Sequence, residues 1–174
     1  MIEPMRRRLF WLGVLVLVGA VILTARFDPV LIFNASPSVP TGFYRRTDAS
    51  PARGAFVTVR AATVSPDYAR MRRFSDASDR FIKRVAAGSG EIVCADGDSV
   101  TIGSLVLVRA SHDSLGRTLP HWTGCRTLAA DEVFLIGDTP DSFDSRYWGP
   151  VTTSMIDGVW VLLSPQAGPH RPAQ

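Results

Sequence analysis

Residues 9–25, "LFWLGVLVLVGAVILTA", contain no charged side chain and follow the cluster Arg6-Arg7-Arg8. About 20 apolar residues span a bilayer as a helix, and slightly shorter stretches are tolerated. The block therefore predicts a transmembrane anchor over residues 9–25. Arginine flanks stay on the cytoplasmic side, which leaves residues 1–8 there and sends everything from residue 26 across the membrane. A cleaved signal peptide is the competing reading, but its apolar region is typically ~7–15 residues with small residues before the cut. A cut after Ala25 would put bulky Leu23 where a small side chain is expected, so the pattern favours an uncleaved anchor.

The rest of a 174-residue chain suffices for one domain with its own core, expected over residues 26–165. The formal net charge is only +3. The arginines are scattered rather than interleaved with aromatics along a stripe, so nucleic-acid binding is disfavoured. The two cysteines, Cys94 and Cys125, both fall on the exported side, where a pair is most simply a disulfide. Closing a loop of that length would stabilise the fold by roughly 3 kcal/mol in the chain-entropy model. Recruiting His112 and His121 to make a metal site matches no zinc spacing, and no cofactor motif is present.

Short apolar runs punctuated by turn formers dominate the exported part. Residues 56–61, "FVTVRA", alternate as a strand should. From Phe81 onward "FIKRVAA", "EIVCA", "SVTIG" and "SLVLVRA" succeed one another, with Asp96-Gly97 as a hairpin turn. "EVFLIGD" (132–138) and "GVWVLLS" (158–164) follow. This pattern predicts a mainly β domain. Residues 65–81 are polar, expected as a loop with a helical turn and no apolar stripe to anchor it. The tail 166–174 is Pro-rich and expected to be disordered.

Of the 19 lysines and arginines, only Lys83 is lysine. Arginine effectively never loses its proton, whereas burial can depress a lysine's pKa by up to ~3–5 units. A neutral amine is a general base, so this position is the place to look for one. It lies in Phe81-Ile82-Lys83-Arg84; the other two notable stretches are Ser36-Pro37-Ser38-Val39-Pro40-Thr41-Gly42-Phe43-Tyr44 and "GDTPDSFDSRYWG" (137–149).

Together, in this order and behind an apolar anchor, the three stretches resemble the bacterial type I signal peptidases. That family carries its nucleophilic serine just past the anchor, its lysine base in a (Tyr/Phe)-Ile-Lys-Arg strand, and a box ending Asp-Ser-Arg-Tyr-Trp-Gly. Residues 144–149 match that ending residue for residue, whereas Thr139-Pro140 stands where the general enzymes often show Asn-Arg. Proline two residues after the serine, the run "SVPTGFY" and "DSLGRTLPHWTGC" (113–125) look like the conjugative-transfer, TraF-type subfamily. The resemblance implies a signal-peptidase-like β domain on the periplasmic side of the inner membrane, behind a single-pass anchor. The substrate it implies is a membrane-tethered protein, either a conjugative pilin precursor, whose ends some members join head to tail, or a secretory preprotein.

The resemblance further implies Ser38 as nucleophile and Lys83 as general base, with Ser142 aiming the amine. The Ser36 hydroxyl and the Ser38 backbone N–H would hold the oxyanion. Asp144 and Arg146 are expected as an ion pair that keeps the third box in shape. Ser38 follows Ala25 by thirteen residues, within ~45 Å of the bilayer even fully extended. Two other readings stand beside the conjugative one. A general secretory signal peptidase shares the chemistry, and a non-catalytic anchored scaffold of a secretion machine would need none of Ser38, Lys83 and Ser142.

Overall fold

The computed structural model describes residues 28–74 and 79–165, together with positions 7, 10–14 and 16. Most of the block 9–25, and the tail 166–174, lie outside the described residues. Among the described residues no helix is long and apolar enough to cross a membrane. A compact unit begins at Leu31.

This unit is mainly β, as its alternating runs require. The strands are β1 (Leu31–Asn34), β2 (Gly42–Thr47), β3 (Phe56–Arg60), β4 (Arg80–Ala87), β5 (Ile92–Asp96) and β6 (Ser99–Ile102). They continue with β7 (Leu105–Val108), β8 (Gly124–Thr127), β9 (Glu132–Ile136), β10 (Val151–Thr152) and β11 (Ile156–Pro165). Three short helices interrupt them: α1 (Ala61–Val64), α2 (Pro66–Met71) and α3 (Ser145–Trp148). A seven-stranded sheet runs β1-β2-β11-β3-β4-β9-β10, and a four-stranded sheet runs β7-β6-β5-β8. The pairings are antiparallel.

In the seven-stranded sheet β4 sits between β3 and β9, with Val57 opposite Lys83 and Ile136 opposite Arg84. Successive strand residues point to opposite faces. Ile82 accordingly packs with Val39, Tyr44 and Trp160, while Phe81 and Val85 join the cluster of Val57, Val59 and Leu135. Lys83 shares their side of the strand, so its stem is enclosed by apolar surface, and it lies on a strand paired along both edges.

The hairpin β5–β6 pairs Asp96 with Ser99, and Gly97 turns it with φ +51°. Beside it, Cys94 lies directly opposite Cys125, and the two form a disulfide. This four-stranded sheet has its own core of Val93, Ala95, Val100 and Ile102 against Phe134.

Three elements differ from what the sequence pattern suggests. Residues 65–81 do contain a helical turn, α2, begun by Pro66 at its first position. The segment is nonetheless anchored, because Tyr68 is buried with Leu119 and Tyr147 and stacks on Phe143. A single aromatic side chain meeting a distant loop does what an apolar stripe would otherwise do. The strands β2 and β8 are not announced by an apolar/polar alternation in sequence: β2 alternates in burial, but with the apolar Phe43 outward beside the buried Tyr44, and all four residues of β8 are exposed.

Candidate active site

Ser38 lies in the turn between β1 and β2, and Asn34 at the end of β1 shapes that turn. Its Nδ2 donates to the carbonyls of Ser36 (2.8 Å), Val39 (3.1 Å) and Pro40 (3.2 Å), and its Oδ1 accepts from the Ser36 amide (3.1 Å). Tyr44 Oη also donates to the Pro40 carbonyl, at 2.5 Å. Pro37 and Pro40 fix φ on either side of Ser38 and withhold N–H groups, so the turn depends on these side-chain bonds. On the far side, the amide of Asp138 donates to the Ser38 carbonyl at 2.6 Å. Ser38 is thus held from three directions and is only 8% exposed.

Lys83 reaches this turn from β4. Its Nζ lies 3.0 Å from Ser38 Oγ and 3.0 Å from Ser142 Oγ, and the residue is 4% exposed. Burial lowers the amine from its ordinary 10.5 to about 8, with Asp144 pulling weakly the other way and Arg146 reinforcing the fall. Desolvation is the dominant cause, since charging an amine away from water is costly. With its proton lost, the amine has a lone pair that can accept from the Ser38 hydroxyl while it still donates to Ser142.

Ser36 Oγ donates to Ser38 Oγ at 3.1 Å and accepts from the Ser38 amide at 3.3 Å. The two groups expected to hold an oxyanion therefore bond each other. Both border the cleft beside Ser38 Oγ.

The third stretch wraps around a buried ion pair. Arg146 and Asp144 meet at 2.8 Å, side chains 3% and 0% exposed. Asp144 caps α3 through the Arg146 amide and also accepts from the Gly137 amide at 2.8 Å. Arg146 donates to the carbonyls of Thr139 (3.0 Å), Pro140 (2.7 Å), Ser142 (2.9 Å) and Val108 (3.1 Å). Burying such a pair is favourable only when its remaining donors are satisfied, and here they are. Because Thr139 and Pro140 contribute backbone oxygens alone, their departure from the Asn-Arg pattern leaves this network untouched. Gly137 closes the arrangement: a Cβ there would stand 2.1 Å from Ser142 Oγ and 2.8 Å from the Ser38 carbonyl oxygen.

The structure brings Ser36, Ser38, Lys83, Ser142, Asp144 and Arg146 into one neighbourhood, while Cys94 and Cys125 staple the other sheet. Asn34, Gly137 and Arg109 were not foreseen. Asn34 stands in a run of turn formers, which gave a weak signal. Arg109, 3% exposed, donates to the carbonyls of Gly97, Trp122 and Arg146, partners far apart in sequence that no local pattern reveals. Among the described residues no His/Cys/Asp/Glu group could hold a metal.

Residues 5–164 match the family described as "Signal peptidase, peptidase S26". The chain belongs to the signal peptidase family. Two proteins named "Plasmid transfer protein TraF", both from Escherichia coli, are each 32% identical to this signal peptidase. One matches over 142 residues, 71% of this chain and 76% of its own length; the other over 138 residues, 72% and 78%. The chain is thus of the TraF type within its family. A solved signal peptidase I from Enterococcus faecalis V583 aligns loosely, at 21% identity and a TM-score of 0.38, covering 65% of this chain and 98% of that one. Family membership gives this signal peptidase a leader-peptidase-like activity on protein substrates, that of a serine peptidase.

Proposed function

We propose that this chain is a membrane-anchored endopeptidase in which Ser38 is the nucleophile and Lys83 the general base, and that it matures a conjugative pilin precursor. The observation that carries the dyad is the contact of a single buried amine, lowered to about 8, with two hydroxyls at 3.0 Å. Serine is a weak nucleophile until a neighbouring base takes its proton, and a lysine can serve in place of histidine. Lys83 Nζ takes the Ser38 proton as Oγ bonds to the scissile carbonyl carbon. The resulting oxyanion is held by the Ser38 amide and the Ser36 hydroxyl. When the C–N bond breaks, the proton on Nζ passes to the departing amine, leaving an acyl-serine. Water then releases a linear product, whereas attack by the substrate's own amino terminus releases a ring. Ser142 donates to the free amine and aims its lone pair at Ser38.

The pilin assignment rests on the plasmid-transfer relatives together with the "SVPTGFY" run. The proposed setting is the bacterial inner membrane, with residues 9–25 as a single-pass anchor in the bilayer and the catalytic domain on the periplasmic side. The test is to co-express a pilin precursor with the wild type, Ser38→Ala and Lys83→Arg, and read the product by mass spectrometry. Processing by the wild type alone supports the dyad, and the product mass separates linear from cyclic pilin. Processing by Lys83→Arg would defeat the assignment of the base. Cleavage of a secretory preprotein but not of pilin would transfer the activity to general secretion, and cleavage of neither would favour the scaffold.

A further inference from the structure

The cleft that contains Ser38 and Lys83 has a volume of about 810 Å³, and it continues well beyond them. One arm of its lining is made by Phe143, Tyr68, Leu119, Arg72 and His112; the cleft is also lined by Asp113, which pairs with Arg117, and by Asp141. The walls of this arm come from two segments outside the three family boxes: α2, and the loop of residues 109–123. Arg117 ties them together, donating to the Met71 carbonyl at 3.4 Å while its guanidinium pairs with Asp113 at 2.6 Å.

The arm has an aromatic floor that is physically continuous with the catalytic neighbourhood. Phe143, adjacent in sequence to Ser142, stacks on Tyr68 with ring centroids 3.7 Å apart, and on Tyr147 at 5.1 Å. Arg72 rests over the Tyr68 ring, its guanidinium carbon 5.8 Å from the centroid, and Nη1 donates to the Tyr68 hydroxyl at 3.4 Å. The guanidinium is therefore oriented by a buried aromatic and not by an acid. Among the described residues no carboxylate pairs with Arg72, whereas the neighbouring Arg70 pairs with Asp67 and the cleft residue Arg80 with Asp157. His112 spends one ring nitrogen on Ser111 Oγ, 3.1 Å away.

We infer that this arm is a subsite for a carboxylate carried by the substrate chain some residues from the scissile bond, with Arg72 as the specificity-determining residue. The inference rests on the peptidase reading above, since the arm is defined by its continuity with Ser38. An extended peptide bound at Ser38 would run over the Phe143–Tyr68 floor and bring an acidic side chain, or its own terminal carboxylate, to a cation already held in place. A planar guanidinium suits a carboxylate in either form.

Binding separates this inference from the chemistry. The full chain carrying Ser38→Ala, with Arg72 or with Arg72→Gln, is titrated calorimetrically with alanine-rich 12-residue peptides. One glutamate is walked through the positions, and each peptide is matched by a glutamine version and by a C-terminally amidated version. At one register, or with the free C-terminus, the Arg72 protein should bind the carboxylate form about 5-fold tighter, as a partly exposed ion pair allows. That preference should vanish in Arg72→Gln and shrink at high salt. The register distinguishes a side-chain acid from the chain terminus. No preference at any register, or one that survives Arg72→Gln, overturns the inference. Cleavage of the same peptides by protein with Ser38 intact reports on the peptidase reading separately.

Discussion

Lys83 meets two hydroxyls and the Phe81 ring, and Asp144, the carboxylate that most favours its charged form, is occupied by Arg146 and by the Gly137 amide. Had Asp144 faced the amine unpaired, it would have kept the proton on. Diverting it to Arg146 leaves desolvation as the dominant influence and the amine at about 8. In the proposed mechanism the free base is the active form, so activity should rise with pH. A single group at that value predicts about a 5-fold gain from pH 7 to pH 8 and a plateau above about pH 9. A kcat/KM profile on a peptide substrate checks this, and a flat profile from pH 6 to 10 would point to another base. Gly137 makes a second residue-scale prediction. An added methyl would overlap Ser142 Oγ at 2.1 Å and the Ser38 backbone oxygen at 2.8 Å, and the latter cannot rotate away. Gly137→Ala should lower kcat by about 100-fold or more, since displacing catalytic groups by ~1 Å has that cost. Far-ultraviolet circular dichroism should stay mainly β.

At the scale of elements, the disulfide explains how an exposed strand persists. None of the four residues of β8 is buried, so hydrophobic burial holds it weakly; its pairing with β5 and the Cys94–Cys125 bond hold it instead. The bond spans a sequence separation of 31, worth about 4 kcal/mol in the chain-entropy model. The double variant Cys94→Ser/Cys125→Ser should lose about that much by urea denaturation. Its activity at low temperature should persist, because the bond lies in the sheet that does not carry Ser38 or Lys83. The same elements show what a sequence can disclose. β3 and β9 were legible because each buries apolar residues between clear turn signals, and the hairpin at Asp96-Gly97 because glycine alone takes φ +51° cheaply. β2 was not, because the apolar Phe43 takes an outward position and the buried Tyr44 is held through its hydroxyl, so the burial alternation has no apolar/polar counterpart in the sequence. The residues of the candidate site stand in ordered boxes that the sequence displays, whereas Arg109 and the Tyr68 anchor depend on contacts between distant segments.

For the whole molecule, a base of this kind is a source of instability. Lys83 has an ordinary value of 10.5 when unfolded and about 8 when folded. Where a folded-state pKa is lowered, the unfolded chain binds more protons between the two values, so stability increases as pH rises from about 8 to 10.5 and is lower below that window. At pH 7 the penalty is about 3 kcal/mol, taking 1.36 kcal/mol per unit. Lys83→Met removes that penalty and keeps most of the apolar stem, but forfeits the two hydrogen bonds to Ser38 and Ser142, each worth roughly 1 kcal/mol. The inactive variant should therefore be more stable than wild type by about 1 kcal/mol at pH 7. Near pH 10 the penalty has fallen to about 1 kcal/mol and the lost hydrogen bonds dominate, so the order should reverse. Paired urea denaturations at pH 7 and pH 10 read this sign change directly. If Lys83→Met were less stable than wild type by the same amount at both values, the amine would not be carrying a lowered pKa in the folded state, and the base would have to be sought elsewhere.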